Sequence, residues 1–274
     1  MEKFSVSICV YGGDNPSYFD IALQSIFNQT LKPDEVVLVV DGPIGEDINS
    51  VILKYQNDSL KVIRLEKNVG HGEARRIGLD NCSYDLVALM DADDISVETR
   101  FEKQINTFSN NPEITIVGGQ INEFIDSIDN VVGKRTVPLE DDEIKQYMKK
   151  RCPMNQVTVM FRKKEVQSVG GYIDWYCEED YYLWIRMALN NLKFANVSDV
   201  LVNVRVGNEM YQRRGGIKYF KSEAGIQKLM LDNKLISFPR YFINVSERLI
   251  LQVLMPNKLR GFIFKIFARE KTEK

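Results

Sequence analysis

Histidine and cysteine are scarce in this chain of 274 residues. The single histidine is His71, and the four cysteines, Cys9, Cys82, Cys152 and Cys177, form no CxxC pair. Zinc sites of the finger or ribbon type need such ligands at short, paired spacings. The sequence therefore contains no zinc site of that type, and its scattered cysteines predict four reduced thiols in a cytoplasmic protein.

The chain also lacks an excess of positive charge and a long apolar run. It carries 36 basic and 38 acidic residues, a formal net charge of −2, whereas general nucleic-acid binding requires a strong basic excess. The apolar run near the N-terminus is too short for a secretory signal, and no stretch reaches transmembrane length. We therefore expect no nucleic-acid partner and a protein that stays on the cytoplasmic side.

Short apolar runs alternate with helical patterns over the first 110 residues. The strand and helix pairs are FSVSICV with YFDIALQSIFNQ, EVVLVV with DINSVILKYQ, LKVIRL with GEARRIGLDNC, and LVALM with SVETRFEKQINTF. This alternation predicts a parallel sheet with helices on both faces, which binds ligands beyond the carboxyl ends of its strands. Three of those ends read VYGGDN, VVDGP and LMDADD, so acidic residues and glycines gather at one edge.

The pattern changes after residue 112. ITIVGGQINEFID and VTVMFR favour mixed or antiparallel strands, and EDYYLWIRMALNN and VLVNVRV predict a further helix and strand. From Lys218 onward the pattern is helical and amphipathic, with two helices separated by Pro256. We therefore predict an α/β catalytic domain over residues 1–216 and a C-terminal helical segment over residues 217–274.

The predicted fourth strand, LVALM, is followed by three carboxylates, Asp91, Asp93 and Asp94. Residues two apart in extended chain point the same way, so Asp91 and Asp93 are expected to converge while Asp94 faces elsewhere. Two convergent carboxylates suit a divalent metal that keeps open positions for phosphate oxygens. The simpler alternative is a helix cap. We expect Ser96 to cap a helix that starts near Val97, and for Asp94 both interpretations stay open.

Two well-known nucleotide-binding motifs are absent or altered. No GxxxxGK[ST] is present, which excludes a P-loop. GHGEAR at 70–75 resembles a dinucleotide fingerprint, but arginine occupies the place of the third glycine and the motif follows the third strand. A Rossmann dehydrogenase is therefore disfavoured.

Arg75 heads an apolar stripe on the predicted third helix, whereas Arg76 lines up with Asp80 as an exposed ion pair. An inward-facing arginine needs an anionic partner. One candidate is a diphosphate at the start of the helix. The other is a structural ion pair with Asp91 or Asp93.

Asp180 heads the apolar face of the helix predicted over EDYYLWIRMALNN, whereas Glu178 and Glu179 turn away from that face. A partly buried carboxylate near other acids has a raised pKa and can act as a general base. The alternative is a carboxylate in the first helical turn that only interacts with the helix dipole.

Together these stretches resemble glycosyltransferase family 2, the inverting enzymes with a GT-A fold. The matching stretches, over roughly residues 4–190, are FSVSICVY, QSIFNQTLKPDEVVLVVDGP, NVGHGEARRIGL, LVALMDADD and EEDYYLWIRM. The stretch VRVGNEMYQRRGGIKYF is similar to the branch that makes bacterial capsule, exopolysaccharide and related surface glycans. The resemblance implies a Rossmann-like mixed sheet of the nucleotide-diphospho-sugar transferase type, with helices on both faces.

The resemblance also implies roles for the residues at the predicted sheet edge. Tyr11 and Asp41 would hold the nucleotide base, and Arg75 would hold the diphosphate. Asp91 and Asp93 would hold the ribose and a Mn²⁺ or Mg²⁺ ion. Asp91 is therefore expected to contact both the nucleotide and the metal.

Further along the chain, Asp180 would deprotonate the acceptor hydroxyl. The sequence departs from the family pattern at Gly12, where asparagine is frequent, and at Val40, where a first aspartate is frequent. The late histidine of many relatives is also missing, which suggests that Arg213 and Arg214 neutralise the leaving diphosphate instead. The QxxRW motif of processive synthases is absent, so we expect transfer of one sugar per encounter.

The resemblance thus implies a metal-dependent inverting glycosyltransferase. It would move one sugar from a UDP-sugar to a glycan acceptor carried on a lipid or a protein. A sugar-phosphate nucleotidyltransferase is one alternative, although YGGDNPSY has no lysine or arginine where such enzymes carry a basic loop. A non-catalytic partner subunit of another glycosyltransferase is the second, although all four residues Arg75, Asp91, Asp93 and Asp180 are present.

Two segments outside this core carry predictions of their own. GNEMYQRRGG combines glycines with two arginines, which favours a lid over the diphosphate, and a solvated basic turn is the alternative. Residues 240–274 hold eight basic residues against three acidic ones, interleaved with apolar clusters. Such a segment can contact the membrane peripherally. The alternative, which the sequence leaves open, is that its apolar faces pack on the catalytic domain or form a homo-oligomer interface.

Overall fold

The computed structural model describes residues 2–207 and 215–255 of the chain. The strands in these ranges are β1 (Phe4–Val10), β2 (Glu35–Val40), β3 (Leu60–Arg64), β4 (Leu86–Met90), β5 (Ile95–Ser96), β6 (Ile114–Phe124), β7 (Val131–Arg135), β8 (Met160–Arg162) and β9 (Lys193–Arg205). The helices are α1 (Pro16–Phe27), α2 (Glu46–Lys54), α3 (His71–Asn81), α4 (Arg100–Asn110), α5 (Asp141–Met148), α6 (Lys163–Ser168), α7 (Glu179–Leu189), α8 (Ile217–Asp232) and α9 (Phe238–Leu249), the last followed by a π-helical turn, Ile250–Leu254. All four predicted strand–helix units are present.

The described strands form one mixed sheet in the order β3-β2-β1-β4-β8-β6-β9-β5, with β7 paired to β6. β1 runs parallel to β2 and β4, and β2 runs parallel to β3. β8 lies antiparallel to both β4 and β6, whereas β6 and β9 are parallel. The change from parallel to mixed pairing after residue 112 is therefore confirmed.

The sheet separates two hydrophobic cores, because successive strand residues point to opposite faces. On β2, Val36 and Leu38 pack into the same core as Phe101 of α4. Val37 lies between them and faces the other core, which is built around Trp184 of α7. Burial on both faces explains why this strand reads as a continuous apolar run.

The segment after the three carboxylates differs from the prediction. Ser96 lies in the short strand β5, which pairs antiparallel with Val202 and its neighbours on β9. Helix α4 begins only at Arg100, after Thr99, and no side chain caps it. The predicted helix start near Val97 and the capping role of Ser96 are therefore wrong, because a strand partner about a hundred residues away overrides the local pattern.

Strand β7 and helices α5 and α6 were not predicted, and the later helices share the second core. Ile226 and Met230 of α8 pack in the same cluster as Trp184. The predicted helix beyond Pro256 lies outside the described residues, and the division at residue 216 stays a prediction. Among the described residues, no helix has both the length and the apolar character needed to cross a membrane.

Candidate active site at the carboxyl edge of the sheet

The carboxyl ends of three neighbouring parallel strands bring together the residues that were predicted to meet. In the sheet register, Val10 of β1 lies opposite Val40 of β2, and Ile8 lies opposite Met90 of β4. Tyr11, Asp41 and Asp91 directly follow these strands, so all three lie at one edge. The three acids after β4 thus adjoin the loops after β1 and β2.

Of the three carboxylates after β4, Asp94 faces elsewhere as expected, whereas the convergence of Asp91 and Asp93 stays a prediction. Asp94 is buried, and its Oδ1 accepts the backbone N–H of Arg205 at 2.8 Å, so it faces away from the other two. Loss of hydration and the nearby charge of Asp91 raise the pKa of Asp93 to about 6. The charge of Asp91 thus contributes to this shift, after burial. Asp94 therefore connects this turn to β9 and does not cap a helix. The helix cap, which the sequence had left open for Asp94, is thus excluded.

Arg205 holds the turn that carries Asp93. Its guanidinium carbon lies 3.7 Å from the ring centre of Tyr18 and 4.6 Å from that of Phe124, so the side chain is stacked against two rings. Its Nε donates to the carbonyl oxygen of Asp93 at 3.2 Å, and Nη1 donates to that of Asp126 at 3.2 Å. Sequence reasoning missed this residue, although a lone arginine that ends an apolar strand was a usable signal.

Helix α3 places Arg75 at the centre of the edge. The helix packs closely on β1, since a Cβ at Gly78 would overlap the hydroxyl of Ser7. The largely buried Arg75 guanidinium lies 3.0 Å from Asp91 through Nη2 and 2.5 Å from Glu179 through Nη1. Burial alone would lower the pKa of Arg75. The two carboxylates outweigh the effect of burial, so the pKa of Arg75 is raised.

The ion pair that was the alternative for Arg75 is therefore present, with Asp91 as one partner. Glu179 was predicted to turn away and is the second partner, so that prediction is wrong. Helix periodicity could not place it, because the partner that attracts Glu179 lies 104 residues away in sequence. Arg76 pairs with Asp80 at 2.9 Å, as predicted.

Asp41 shapes the loop that leads into α3. Its buried carboxylate accepts the backbone N–H of Val69 at 2.7 Å and that of Gly70 at 3.2 Å. Gly70 has φ = 89°, a backbone conformation that favours glycine. The structure thus places this carboxylate on the loop backbone, and its contact with a nucleotide base stays a prediction.

Tyr11 lies at the mouth of the edge with an exposed side chain. Its backbone N–H donates to Asp14 Oδ2 at 2.9 Å, and the N–H of Asp14 donates back to the Tyr11 carbonyl at 3.1 Å. A Cβ at Gly12 would lie 2.6 Å from the carbonyl oxygen of Pro43. This close approach gives a physical reason for glycine where asparagine is frequent in the resembling family.

Asp180 lies in the first turn of α7, next to Glu179. Burial, followed by the charge of Glu179, raises the pKa of Asp180 to about 6. Its Oδ1 accepts the N–H of Tyr181 at 2.7 Å, and the thiol of Cys152 lies 3.8 Å from Oδ2. A carboxyl group with this pKa is largely ionised at pH 7 and can accept a proton, as a general base must.

The remaining predicted site residues lie outside the described part of the chain. Arg213 and Arg214, with most of the predicted lid, fall in 208–214. Within residues 2–207 and 215–255, no group of three or more histidine, cysteine, aspartate or glutamate side chains is arranged to hold a metal. That Asp91 and Asp93 hold a cation stays a prediction, and such a cation would need further oxygens from a ligand or water.

This mixed sheet, with carboxylates at the ends of its parallel strands, has the GT-A architecture of nucleotide-diphospho-sugar transferases. The chain belongs to glycosyltransferase family 2, whose model, "Glycosyl transferase family 2", matches residues 5–168. The protein is thus a glycosyltransferase. The resemblance, the fold class and the enzyme class predicted from the sequence are confirmed.

Relatives match over nearly the whole chain. An "Uncharacterized glycosyltransferase" of Haemophilus influenzae is 42% identical over 98% of this chain and 100% of its own length. A "UDP-Gal:alpha-D-GlcNAc-diphosphoundecaprenol beta-1,3-galactosyltransferase" of Escherichia coli is 38% identical over 97% of both chains. The "Amylovoran biosynthesis glycosyltransferase AmsE" of Erwinia amylovora is 37% identical over 96% of this chain and 98% of its own.

Solved structures of TarS from S. aureus share the fold. Residues 1–349 of TarS in complex with UDP match with a TM-score of 0.65 and 19% identity, over 95% of this chain and 74% of that one. A longer TarS chain matches over 90% of this chain, which spans 43% of its length. At this level of identity the likeness shows the fold alone.

Proposed function

We propose that this protein transfers one sugar from a UDP-sugar to a glycan acceptor linked through a diphosphate to a polyprenyl lipid, with inversion at the anomeric carbon. The proposal is carried by the Arg75 bridge, which joins Asp91 at the predicted donor side to Glu179 beside Asp180. This bridge supports a site in which the residues proposed for the donor lie next to those proposed for the acceptor.

The donor and the acceptor class are supported by a relative of full length. The E. coli enzyme that is 38% identical over 97% of this chain is named for a UDP-Gal donor and a diphosphoundecaprenol-linked acceptor. The E. amylovora relative is named for amylovoran biosynthesis. We therefore assign this chain to the assembly of a bacterial surface polysaccharide. Family membership favours this assignment over a nucleotidyltransferase.

Asp91 and Asp93 fit a Mn²⁺ or Mg²⁺ ion by their chemistry. Oxygen ligands are those that both ions accept, and a cation would offset the charge of Asp91, which contributes to the raised pKa of Asp93 after burial. When bound, the ion would act as a Lewis acid that offsets charge on the departing diphosphate. Arg75 holds Asp91 in place by its ion pair, and Arg205 holds the backbone of Asp93.

Asp180 is the base in this proposal. At pH 7 a carboxyl with a pKa near 6 is roughly nine-tenths ionised, so its oxygen can take the proton of the acceptor hydroxyl. The acceptor oxygen forms a bond to the anomeric carbon while the bond from that carbon to the diphosphate oxygen breaks. A single displacement from the opposite face inverts the configuration, and UDP is the leaving group.

Nucleotide release by the purified chain tests the proposal. The chain is mixed with a panel of sugar nucleotides and Mn²⁺, with and without a short-chain lipid-diphosphate-linked sugar, and free UDP is measured. We expect release that depends on one donor and on the acceptor. A chain that binds UDP but releases none from any donor, with Asp180→Asn indistinguishable from the wild type, would instead support a non-catalytic partner subunit.

A further inference from the structure

Helix α9 packs on the protein through polar side chains. Its buried residues are Asn244 and Arg248, and Gln252 continues the same line into the π-helical turn. Asn244 Nδ2 donates to the carbonyl oxygen of Lys149 at 2.8 Å and to Oε1 of Gln227 at 2.7 Å. The inward side of this helix is therefore the hydrophilic one.

Arg248 fixes the rotation of the helix. Its guanidinium forms an ion pair with Glu223 of α8, and the two side chains are only 10% and 15% exposed. It also donates to the carbonyl oxygen of Lys150 at 2.8 Å. Turning α9 to bury its other side would leave a charge and several polar groups without partners, which is strongly destabilising.

The opposite side of the helix is apolar and exposed to solvent. Its large side chains, with their exposed fractions, are Phe238 (65%), Phe242 (64%), Ile243 (47%), Leu249 (39%), Ile250 (52%) and Leu254 (67%). Their spacing places them along one side of the helix and the turn that continues it. We call these six residues the outer apolar face. An exposed apolar stripe of this kind marks a contact surface.

Exposed positive charge lies near the start of the outer apolar face, at Arg240, on a helix that also carries the exposed acid Glu247. Arg240 is exposed on α9 and, with Lys149 and Lys150, lines an open cavity of about 710 Å³ that also contains Asp142 and Glu143. The sequence from 240 to 274 carries eight basic and three acidic residues, although the whole chain has a net charge of −2. The apolar face is therefore at the positively charged end of an otherwise acidic chain, which complements an anionic surface.

The inward side of helix α9 is also connected to the candidate base. In the loop after α5, the carbonyl oxygen of Lys150 accepts a hydrogen bond from Arg248. Two residues further along this loop, the thiol of Cys152 lies 3.8 Å from Oδ2 of Asp180. The hydroxyl of Tyr181, next to Asp180, donates to the carbonyl oxygen of Met148 at the end of α5. The same short segment thus supports α9 on one side and the start of α7 on the other.

We propose that the outer apolar face lies in the interface of an anionic phospholipid bilayer, with Arg240, Lys149 and Lys150 near the headgroups. Apolar burial combined with attraction of cations to anionic lipid is how amphipathic helices bind such interfaces. The use of this contact, which is to bring a lipid-linked acceptor to Asp180, rests on the proposed function. The contact itself rests on the orientation and charge of α9.

Vesicle co-sedimentation of the full chain tests this contact. The vesicles are made of phosphatidylethanolamine with phosphatidylglycerol, or of phosphatidylcholine alone. The test variant is Phe242→Ser with Ile250→Ser, and the control is Leu53→Ser on α2, where the leucine is 58% exposed. All three substitutions are at exposed positions, so folding is retained.

We expect the wild type and Leu53→Ser to sediment with the anionic vesicles, less so at high salt. The double variant should bind them at least about tenfold more weakly, because two apolar side chains no longer enter the interface. Equal binding of the double variant and the wild type would overturn the proposal, as would no binding by the wild type. Sedimentation velocity that shows a dimer, lost in the double variant, would overturn it in favour of an interface between copies.

This outcome is independent of the proposed function. Vesicle binding needs neither donor nor acceptor, whereas UDP release is measured with a short-chain acceptor that needs no bilayer. A chain that binds vesicles but releases no UDP retains the membrane contact and loses the proposed activity. A chain that releases UDP but ignores vesicles retains the activity and loses the membrane contact.

Discussion

The guanidinium of Arg75 lies 3.0 Å from the carboxylate of Asp91 and 2.5 Å from that of Glu179. Asp91 follows a strand of the parallel half of the sheet, and Glu179 begins a helix of the second half of the chain. One buried cation therefore couples two acidic groups that are 88 positions apart in sequence. The first prediction follows from this contact.

Arg75→Ala should lower both stability and activity. It leaves Asp91 and Glu179 facing each other without a cation, so we expect a loss of about 1–3 kcal/mol in the free energy of unfolding, the lower end reflecting solvent near Asp91. The fall in kcat/KM should be at least about 100-fold. Arg76→Ala is the control, because Arg76 forms only exposed ion pairs and should change stability by less than about 1 kcal/mol. For each variant, urea unfolding measures the free energy of unfolding and UDP release measures kcat/KM. Equal effects of the two substitutions would show that the bridge has no special role.

Asp180→Asn should separate chemistry from binding. The amide keeps the shape of the side chain and cannot accept the proton, so kcat should fall about 10²–10⁴-fold with the donor KM nearly unchanged. In the wild type, activity should decline as the pH falls below about 6, because the base becomes protonated there. The variant should lose this pH dependence, whereas Asp232→Asn, at an exposed ion pair of α8, should retain it. A loss confined to KM would mean that Asp180 positions the substrate and another group takes the proton.

The same substitution should make the folded protein more stable at neutral pH. The folded-state pKa of Asp180, about 6, is above the ordinary value of 3.8. The folded chain therefore holds this proton more tightly, and the stability it contributes is lost as the pH rises from about 4 to about 6. Asp180→Asn should thus gain about 1–3 kcal/mol over the wild type at pH 7 and lose that gain below about pH 4. Urea unfolding at both pH values tests this, and a gain at pH 4 equal to that at pH 7 would contradict it.

Asp93→Ala should abolish turnover and weaken nucleotide binding in Mn²⁺ or Mg²⁺. The substitution removes one of the two carboxylates proposed to hold the cation, and the remaining one is already paired with Arg75. Titration of UDP and measurement of UDP release with each ion test this. Asp129→Ala, in the loop before β7, serves as the control. Full wild-type activity in excess EDTA would remove the metal from the mechanism.

Arg205→Ala should raise the Mn²⁺ concentration needed for half-maximal activity by about tenfold or more. The substitution removes stacking on Tyr18 and Phe124, worth about 0.5–2 kcal/mol, and releases the carbonyl of Asp93. Arg205→Lys should recover part of this effect, since it keeps the charge without the planar fork. The control is Arg162→Ala in β8, which removes a similar contact with the ring of Phe108 in α4. A fall in kcat with an unchanged Mn²⁺ requirement would limit Arg205 to a structural role.

Much of the architecture and part of the site were predictable from local pattern. Apolar runs such as EVVLVV are buried on both faces of the sheet, and that requirement is visible residue by residue. The acids after β4 follow a buried strand directly, so their position at the edge of the sheet was predictable as well. Helical spacing likewise predicted that Asp180 lies at the start of α7, on the same side of the helix as its apolar residues.

Contacts between distant segments were decided only by the tertiary structure. Pairing of β5 with β9 replaced the expected start of α4, and Glu179 turned to Arg75 against its predicted direction. Arg205 contacts two rings and a carbonyl oxygen that come from three other segments of the chain. The periodicity of the sequence predicts which residues are buried, but it does not predict which distant residue each of them contacts. Those contacts depend on how the whole sheet is assembled. The amphipathic pattern of α9 was likewise visible in the sequence, but only the buried pair of Arg248 with Glu223 determined that its apolar side faces outward.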